Sequence, residues 1–196
     1  MKTLRIATNI GTLFFVCFKQ ETDDLWKETF YKMLRDSALG GLTISPMLIE
    51  MASIDDAAEI LSLQKLAFLG EAKIHNNFSI PPLVETLDDL KQLFKSHTFL
   101  KAEVNGEIVG SVRAFEKDGT CYVGRLMVDP DFQNLGIGTK LLLETKRLFA
   151  ACRRFELFTG SKSVKNICLY EKLGYKAFKT EQVPDNLKLV FLEKVK

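Results

Sequence analysis

The stretch Val128-Asp-Pro-Asp-Phe-Gln133-Asn-Leu-Gly136-Ile-Gly138-Thr-Lys140 separates an apolar run at 121–128 from a segment where Leu141, Leu142, Leu148, Phe149 and Cys152 recur at near-helical spacing. It therefore reads as a strand-to-helix turn. Its glycines let main chain approach a ligand where side chains would obstruct. Successive amides there, with the positive end of the helix dipole, make a cradle for a pyrophosphate or similar anion. Taken alone, the same two glycines also fit an ordinary tight turn. The chain has no G-x-x-x-x-G-K-[ST] and no G-x-G-x-x-G after an N-terminal strand, so nucleotide hydrolysis and hydride transfer lose their main support.

Upstream of this turn, Asn105-Gly106 and Asp118-Gly119 punctuate three apolar runs at 99–104, 107–115 and 121–128. Such dipeptides between apolar runs signal tight hairpins, so an antiparallel meander is expected. Before it, residues 47–52 read as a short strand. Ser53 with Asp56 makes a capping-box-like start for a helix reaching about Gly70, with Ala57, Ala58, Leu61 and Phe68 facing inward. Pro81-Pro82 interrupts the helical pattern before Leu83, Leu87, Leu90 and Phe94 resume it, and this broken pair is a candidate substrate-side loop. Downstream, strand 155–158, helix 163–173 and two final strands at 175–179 and 187–192 complete the pattern.

Residues 1–45 form an N-terminal extension ahead of a domain at 46–196. Apolar residues at 6–18 are diluted by Thr8, Asn9 and Thr12, and end at Lys19 short of a bilayer span. An amphipathic helix is expected at 23–38, closed by Gly40-Gly41, with Pro46 at the junction. The 196 residues, 46% hydrophobic, can supply a continuous core. A net charge of +2 gives no general attraction to nucleic acid or anionic membrane. Cys17, Cys121, Cys152 and Cys168 lie far apart without a C-x-x-C pair, so no metal is implied and reduced cytoplasmic thiols are the simplest reading. Cys121 and Cys168 read as small buried apolar residues rather than nucleophiles.

Gln133-x-x-Gly136-x-Gly138, after a strand ending Leu126-Met-Val128, resembles the acetyl-CoA signature of the GNAT acetyltransferase superfamily. The stretch Ser163-Val-Lys-Asn-Ile-Cys-Leu-Tyr170-Glu-Lys-Leu-Gly-Tyr175 resembles that superfamily's second motif. The resemblance extends from about Ser45 to the C-terminus. It implies a mixed α/β fold, a twisted and mainly antiparallel sheet splayed between the fourth and fifth strands of the domain, with helices on both faces. It further implies an N-acetyltransferase that uses acetyl-CoA as co-substrate and acetylates a primary amine directly in a ternary complex. The backbones of Met127 and Val128 would pair with the pantetheine arm. Gln133, Asn134, Leu135, Gly136, Ile137, Gly138 and Thr139 would hold the pyrophosphate, Ser163 and Asn166 would complete the cofactor site, and Tyr170 would stand at the thioester sulfur.

Two positions depart from the superfamily pattern: Ser163 stands where Asn is frequent, and Leu135 where Arg or Lys is frequent. A serine there can still cap the following helix. The base that deprotonates the amine is not singled out among Glu103, Glu116, Tyr122 and His75, the last of which reads as a surface histidine. Arg113 and Arg125, on adjacent expected strands, either reach an acceptor carboxylate or are exposed or salt-bridged. The alternative function is a non-catalytic acyl-CoA-binding sensor. Exposed strand edges are compatible with a homodimer.

Overall fold

The computed structural model describes residues 7–9, 12–14, 47–183 and 187–196. The amphipathic helix expected at 23–38, the glycines after it and the junction at Pro46 lie outside the described residues, as does most of the apolar segment at 6–18. The chain divides into two compact units, Met1–Ile44 and Ser45–Lys196. In the first, β1 (Ala7–Asn9) pairs antiparallel with β2 (Thr12–Phe14).

The second unit begins with β3 (Leu48–Met51) and a short 3-10 turn, Ile54–Asp56. Ser53 and Asp56 close the expected capping box in both directions, each side chain accepting from the other's backbone end. Helix α1 (Ala57–His75) then runs past Gly70 to a left-handed Asn76, φ 49°. A Cβ on Gly70 would meet nothing within 4 Å, so the glycine is simply tolerated within an exposed turn. Ala58 is exposed, contrary to expectation; Ala57, Ile60, Leu61, Leu63 and Gln64 form the buried face. The two prolines begin a helix rather than break one: α2 (Pro81–Val84) starts on them, where their missing N–H groups are no loss. Helix α3 (Leu87–Leu93) follows behind a Thr86–Asp89 capping box.

The meander comprises β4 (Thr98–Val104), β5 (Glu107–Lys117) and β6 (Thr120–Val128). Both hairpin dipeptides carry two positive φ angles: 53° and 84° at Asn105 and Gly106, 51° and 72° at Asp118 and Gly119. These are the angles that let a two-residue turn follow the twist of its strands. After α4 (Ile137–Leu148) come β7 (Arg154–Gly160), α5 (Val164–Lys172), β8 (Lys176–Val183) and β9 (Leu187–Val195). The seven strands lie in the order β3-β4-β5-β6-β7-β9-β8. All neighbours are antiparallel except β6 and β7.

That parallel pair is short, with Thr120, Cys121 and Tyr122 opposite Arg154, Phe155 and Glu156. Beyond it the pairing stops, so, among the described residues, 123–128 of β6 are not paired to a strand on the β7 side. The expected splay between fourth and fifth domain strands is this loss of pairing. Two buried clusters flank the sheet: Leu100, Val112, Leu141 and Phe155 belong to one, Ile60, Leu90, Phe99 and Met127 to the other. Adjacent Phe99 and Leu100 fall in different clusters, as alternation along a strand demands. Helix α1 therefore covers one face and α4 the other. Gly110 on β5 makes room for α4, since a Cβ there would lie 2.9 Å from Ile137 Cγ2 and 3.2 Å from Leu141 Cδ1.

Candidate functional site

The turn that opens α4 has Asn134 at φ 64° and Gly136 at φ 79°. Left-handed residues spaced through a turn aim neighbouring amides into one concavity. Gly136 is the N-cap and offers no side chain to the first amides of the helix. The N–H groups of Ile137, Gly138 and Thr139 are thus left without an intrahelical acceptor, as at any helix start. A diphosphate fits this donor set. The two glycines differ in purpose. A Cβ on Gly136 would enter open space, whereas one on Gly138 would meet Leu169 at 3.6 Å, Leu126 at 3.7 Å and Val128 at 3.8 Å. Gly138 thus marks where the end of β6, the start of α4 and the middle of α5 converge.

Gln133 points back, its Nε2 donating to the Val128 carbonyl at 3.2 Å. The Met127 side chain is buried in the α1-side cluster. Leu135, in the position of the frequent cation, is exposed.

Ser163 does not cap α5; its hydroxyl donates instead to Glu71 Oε2. Asn166 Nδ2 donates to Glu71 Oε1 at 3.2 Å and to Thr159 Oγ1 at 3.3 Å. A carboxylate from the last turns of α1 is therefore held between the two motif residues. The hydroxyl of Tyr170 is buried nearby, and burial, then the charge of Glu71, pushes its pKa well above the usual tyrosine value. It stays protonated across the physiological range.

His75 is not a surface residue. Its side chain is 6% exposed, with Nε2 3.9 Å from Glu71 Oε2, and Nε2 is buried without a hydrogen-bond partner. It packs so closely on Gly160 that a Cβ there would overlap Nε2. Glu71 was not anticipated from the sequence, although its i, i+4 spacing to His75 on one helix face was a usable signal. The other candidate bases are committed elsewhere. Glu103 lies 3.3 Å from Lys101, Glu116 accepts from the Gly119 amide, and Tyr122 stacks on Phe115 at 5.1 Å.

On the α1 face, Arg113 is salt-bridged to Glu85, Nη1 and Nη2 donating to Oε1 at 3.1 and 3.2 Å. Gln64, fully buried, donates to Glu85 Oε2 at 2.7 Å and to the Pro82 carbonyl at 2.9 Å. Arg125 lies over the Phe68 ring at 5.9 Å and forms no salt bridge among the described residues. Cys121 is buried and burial pushes its thiol up to about 12; Cys168 is exposed, not buried as expected. Among the described residues no group of three or more His, Cys, Asp or Glu is placed to hold a metal ion, and no helix is long and apolar enough to cross a membrane.

Residues 95–177 match the family model of the acetyltransferase (GNAT) domain. The chain is 40% identical over 82 residues to an acetyltransferase of Pectobacterium atrosepticum, covering 39% of this chain and 56% of that protein. It spans about half the length, or less, of the curated relatives it matches. Its fold is similar to that of YncA of Salmonella typhimurium, a structure described as a putative acetyltransferase with acetyl-CoA, at TM-score 0.63 and 21% identity over 77% of this chain and 94% of that one. It is similar also to a ribosomal-protein-alanine N-acetyltransferase of Brucella melitensis, at TM-score 0.62 and 20% identity over 76% and 99% of the two chains.

Proposed function

We propose that this chain, whose second unit belongs to the GNAT superfamily, transfers an acetyl group from acetyl-CoA to a primary amine by direct attack in a ternary complex. The observation that carries the reading is the convergence of β6, α4 and α5 at Gly138, beside a β6 edge that β7 leaves open. The amides of Ile137, Gly138 and Thr139 would receive the diphosphate, and the backbones of Met127 and Val128, on the free edge of β6, would pair with the pantetheine amides. Acetyl-CoA supplies an activated acetyl group with a thiolate leaving group.

The chain's own residues account for the proton movements. As the amine nitrogen forms its bond to the carbonyl carbon, His75 Nε2, in the tautomer protonated at Nδ1, accepts the proton the amine sheds. Glu71 lies beside it and steadies the resulting imidazolium. As the carbon–sulfur bond breaks, Tyr170 donates to the departing thiolate. Its raised pKa keeps the proton in place until that charge develops. Holding both reactants in the split removes much of the entropic barrier without a covalent enzyme intermediate.

Calorimetry with acetyl-CoA, combined with a free-thiol release assay over a panel of amines, tests this reading. Binding with amine-dependent thiol release is expected. Binding without release from any amine would instead identify an acyl-CoA sensor.

A further inference from the structure

Arg125 occupies an irregular place in the sheet. Gly124 lies opposite Arg113 and Met127 opposite Ser111, so Arg125 and Leu126 together oppose Val112. This is a β-bulge, and Arg125 takes φ 51° within it. A bulge re-aims one side chain out of the alternating pattern. It sits in the part of β6 that no longer pairs with β7, on the face covered by α1, because its guanidinium lies over Phe68 of that helix.

The charge around it does not balance. Glu85 is the carboxylate on this face that neutralises a guanidinium, and it is bound through both oxygens, to Arg113 and to the buried Gln64 amide. Arg125 is left as a cation whose Nε is buried without a hydrogen-bond partner. Burial, then the like charge of Arg113, lowers its pKa to about 10, with Glu85 acting in the other direction. It therefore remains charged at neutral pH. The Phe68 ring covers one side of the guanidinium but accepts no N–H in its plane. A water could satisfy that N–H; only an anion would also offset the buried charge.

We propose that the acceptor amine carries a carboxylate and that Arg125 anchors it, with Arg113 held beside it by Glu85. This rests on the transferase reading above. A guanidinium fork matches a carboxylate in two parallel hydrogen bonds, so the anchor would orient the acceptor as well as attract it. Such an acceptor is a free amino acid or a peptide whose N-terminal residue is acidic.

The test uses the full chain in two arms. In the first, nitrogen-15 spectra follow the Arg125 Nε–H resonance, assigned by its loss in Arg125→Lys, during titration with N-acetylglycine or the uncharged N-acetylglycinamide. A saturable shift with the carboxylate and none with its amide is expected. No shift up to the solubility limit, or equal shifts with both, overturns the anchor. In the second arm, thiol release is compared for amino acids, their carboxamides and peptides beginning with Asp. A preference for carboxylate-bearing acceptors of roughly 100-fold, within the range for losing one partner of a desolvated charge pair, is expected. Arg125→Gln should abolish it without changing the acetyl-CoA Kd. Equal rates for acids and amides overturn the anchor and leave the transferase standing. A specific resonance shift with no thiol release from any amine does the reverse.

Discussion

The Ser163 hydroxyl donates to the carboxylate of Glu71, 92 residues earlier in the chain. The bond ties the start of α5 to the last turns of α1, and Ser163 is 3% exposed. Ser163→Ala would leave Glu71 with Asn166 as its remaining hydrogen-bond donor among the contacts described. A loss of about 1 to 2 kcal/mol is expected. Urea unfolding of the two proteins checks it, and an unchanged midpoint would show that the bond contributes nothing.

In the proposed mechanism Tyr170 is the acid that meets the departing thiolate. Tyr170→Phe keeps the buried ring but removes the donor to the thiolate. Turnover should fall by about 100-fold, a usual figure for a positioned acid, while acetyl-CoA affinity barely changes. Unchanged turnover at saturating substrates would remove Tyr170 from the mechanism.

The two glycines of the anion loop should respond differently to alanine. At Gly136, φ 79°, alanine carries a left-handed penalty of about 1 to 2 kcal/mol and would distort the turn proposed to receive the diphosphate, although its methyl would enter open space. Gly138 accepts a methyl at ordinary contact distances of 3.6 to 3.8 Å. Calorimetric titration should therefore show acetyl-CoA binding weakened about tenfold or more by Gly136→Ala, and much less affected by Gly138→Ala. The opposite ranking would contradict the cradle.

Gly110 shows the same logic in the core. Its absent Cβ lets Ile137 and Leu141 press against the sheet, and Gly110→Ala forces a 2.9 Å contact that α4 must relieve by shifting. Overpacking of this kind costs about 1 to 3 kcal/mol. A thermal melt several degrees lower is expected. Acetyl-CoA affinity should fall with it, because the displaced helix carries the amides proposed to receive the diphosphate.

Alkaline pH should erode stability. Burial raises the thiol of Cys121 and the hydroxyl of Tyr175 each to about 12, and it moves Tyr170 in the same direction. A pKa raised by folding means that the native state binds its proton more tightly than the unfolded chain does. The associated stability is complete below the unfolded values, about 8.5 for cysteine and 10 for tyrosine, and is lost as pH climbs through the folded ones. Urea midpoints should fall from about pH 9 upward. Tyr175→Phe should flatten the decline above pH 10, and an identical profile in that variant would refute the assignment.

Much of the fold is legible in the sequence because its signals are local. Asn105-Gly106 and Asp118-Gly119 announce hairpins through the φ angles their residues tolerate, and the β6-to-α4 turn is marked by the glycine its own backbone requires. The two segments that resemble the superfamily's motifs are likewise short and continuous. Pro81-Pro82 misled because the same missing N–H that stops a helix in its interior suits it at its start.

Residues 121–140 and 163–175 carried in their order and chemistry the strand-to-turn-to-helix unit and the resemblance to the GNAT acetyltransferases. Their spacing could not reveal that β9 inserts between β7 and β8, that Glu71 closes on Ser163 and Asn166, or that the Arg125 charge remains when Glu85 has taken Arg113. Turn and cap preferences act over a few residues and leave a trace at each position. Contacts between α1, β5, β6 and α5 arise only when the sheet is assembled, and whether a charge is matched depends on which partners that assembly brings within reach.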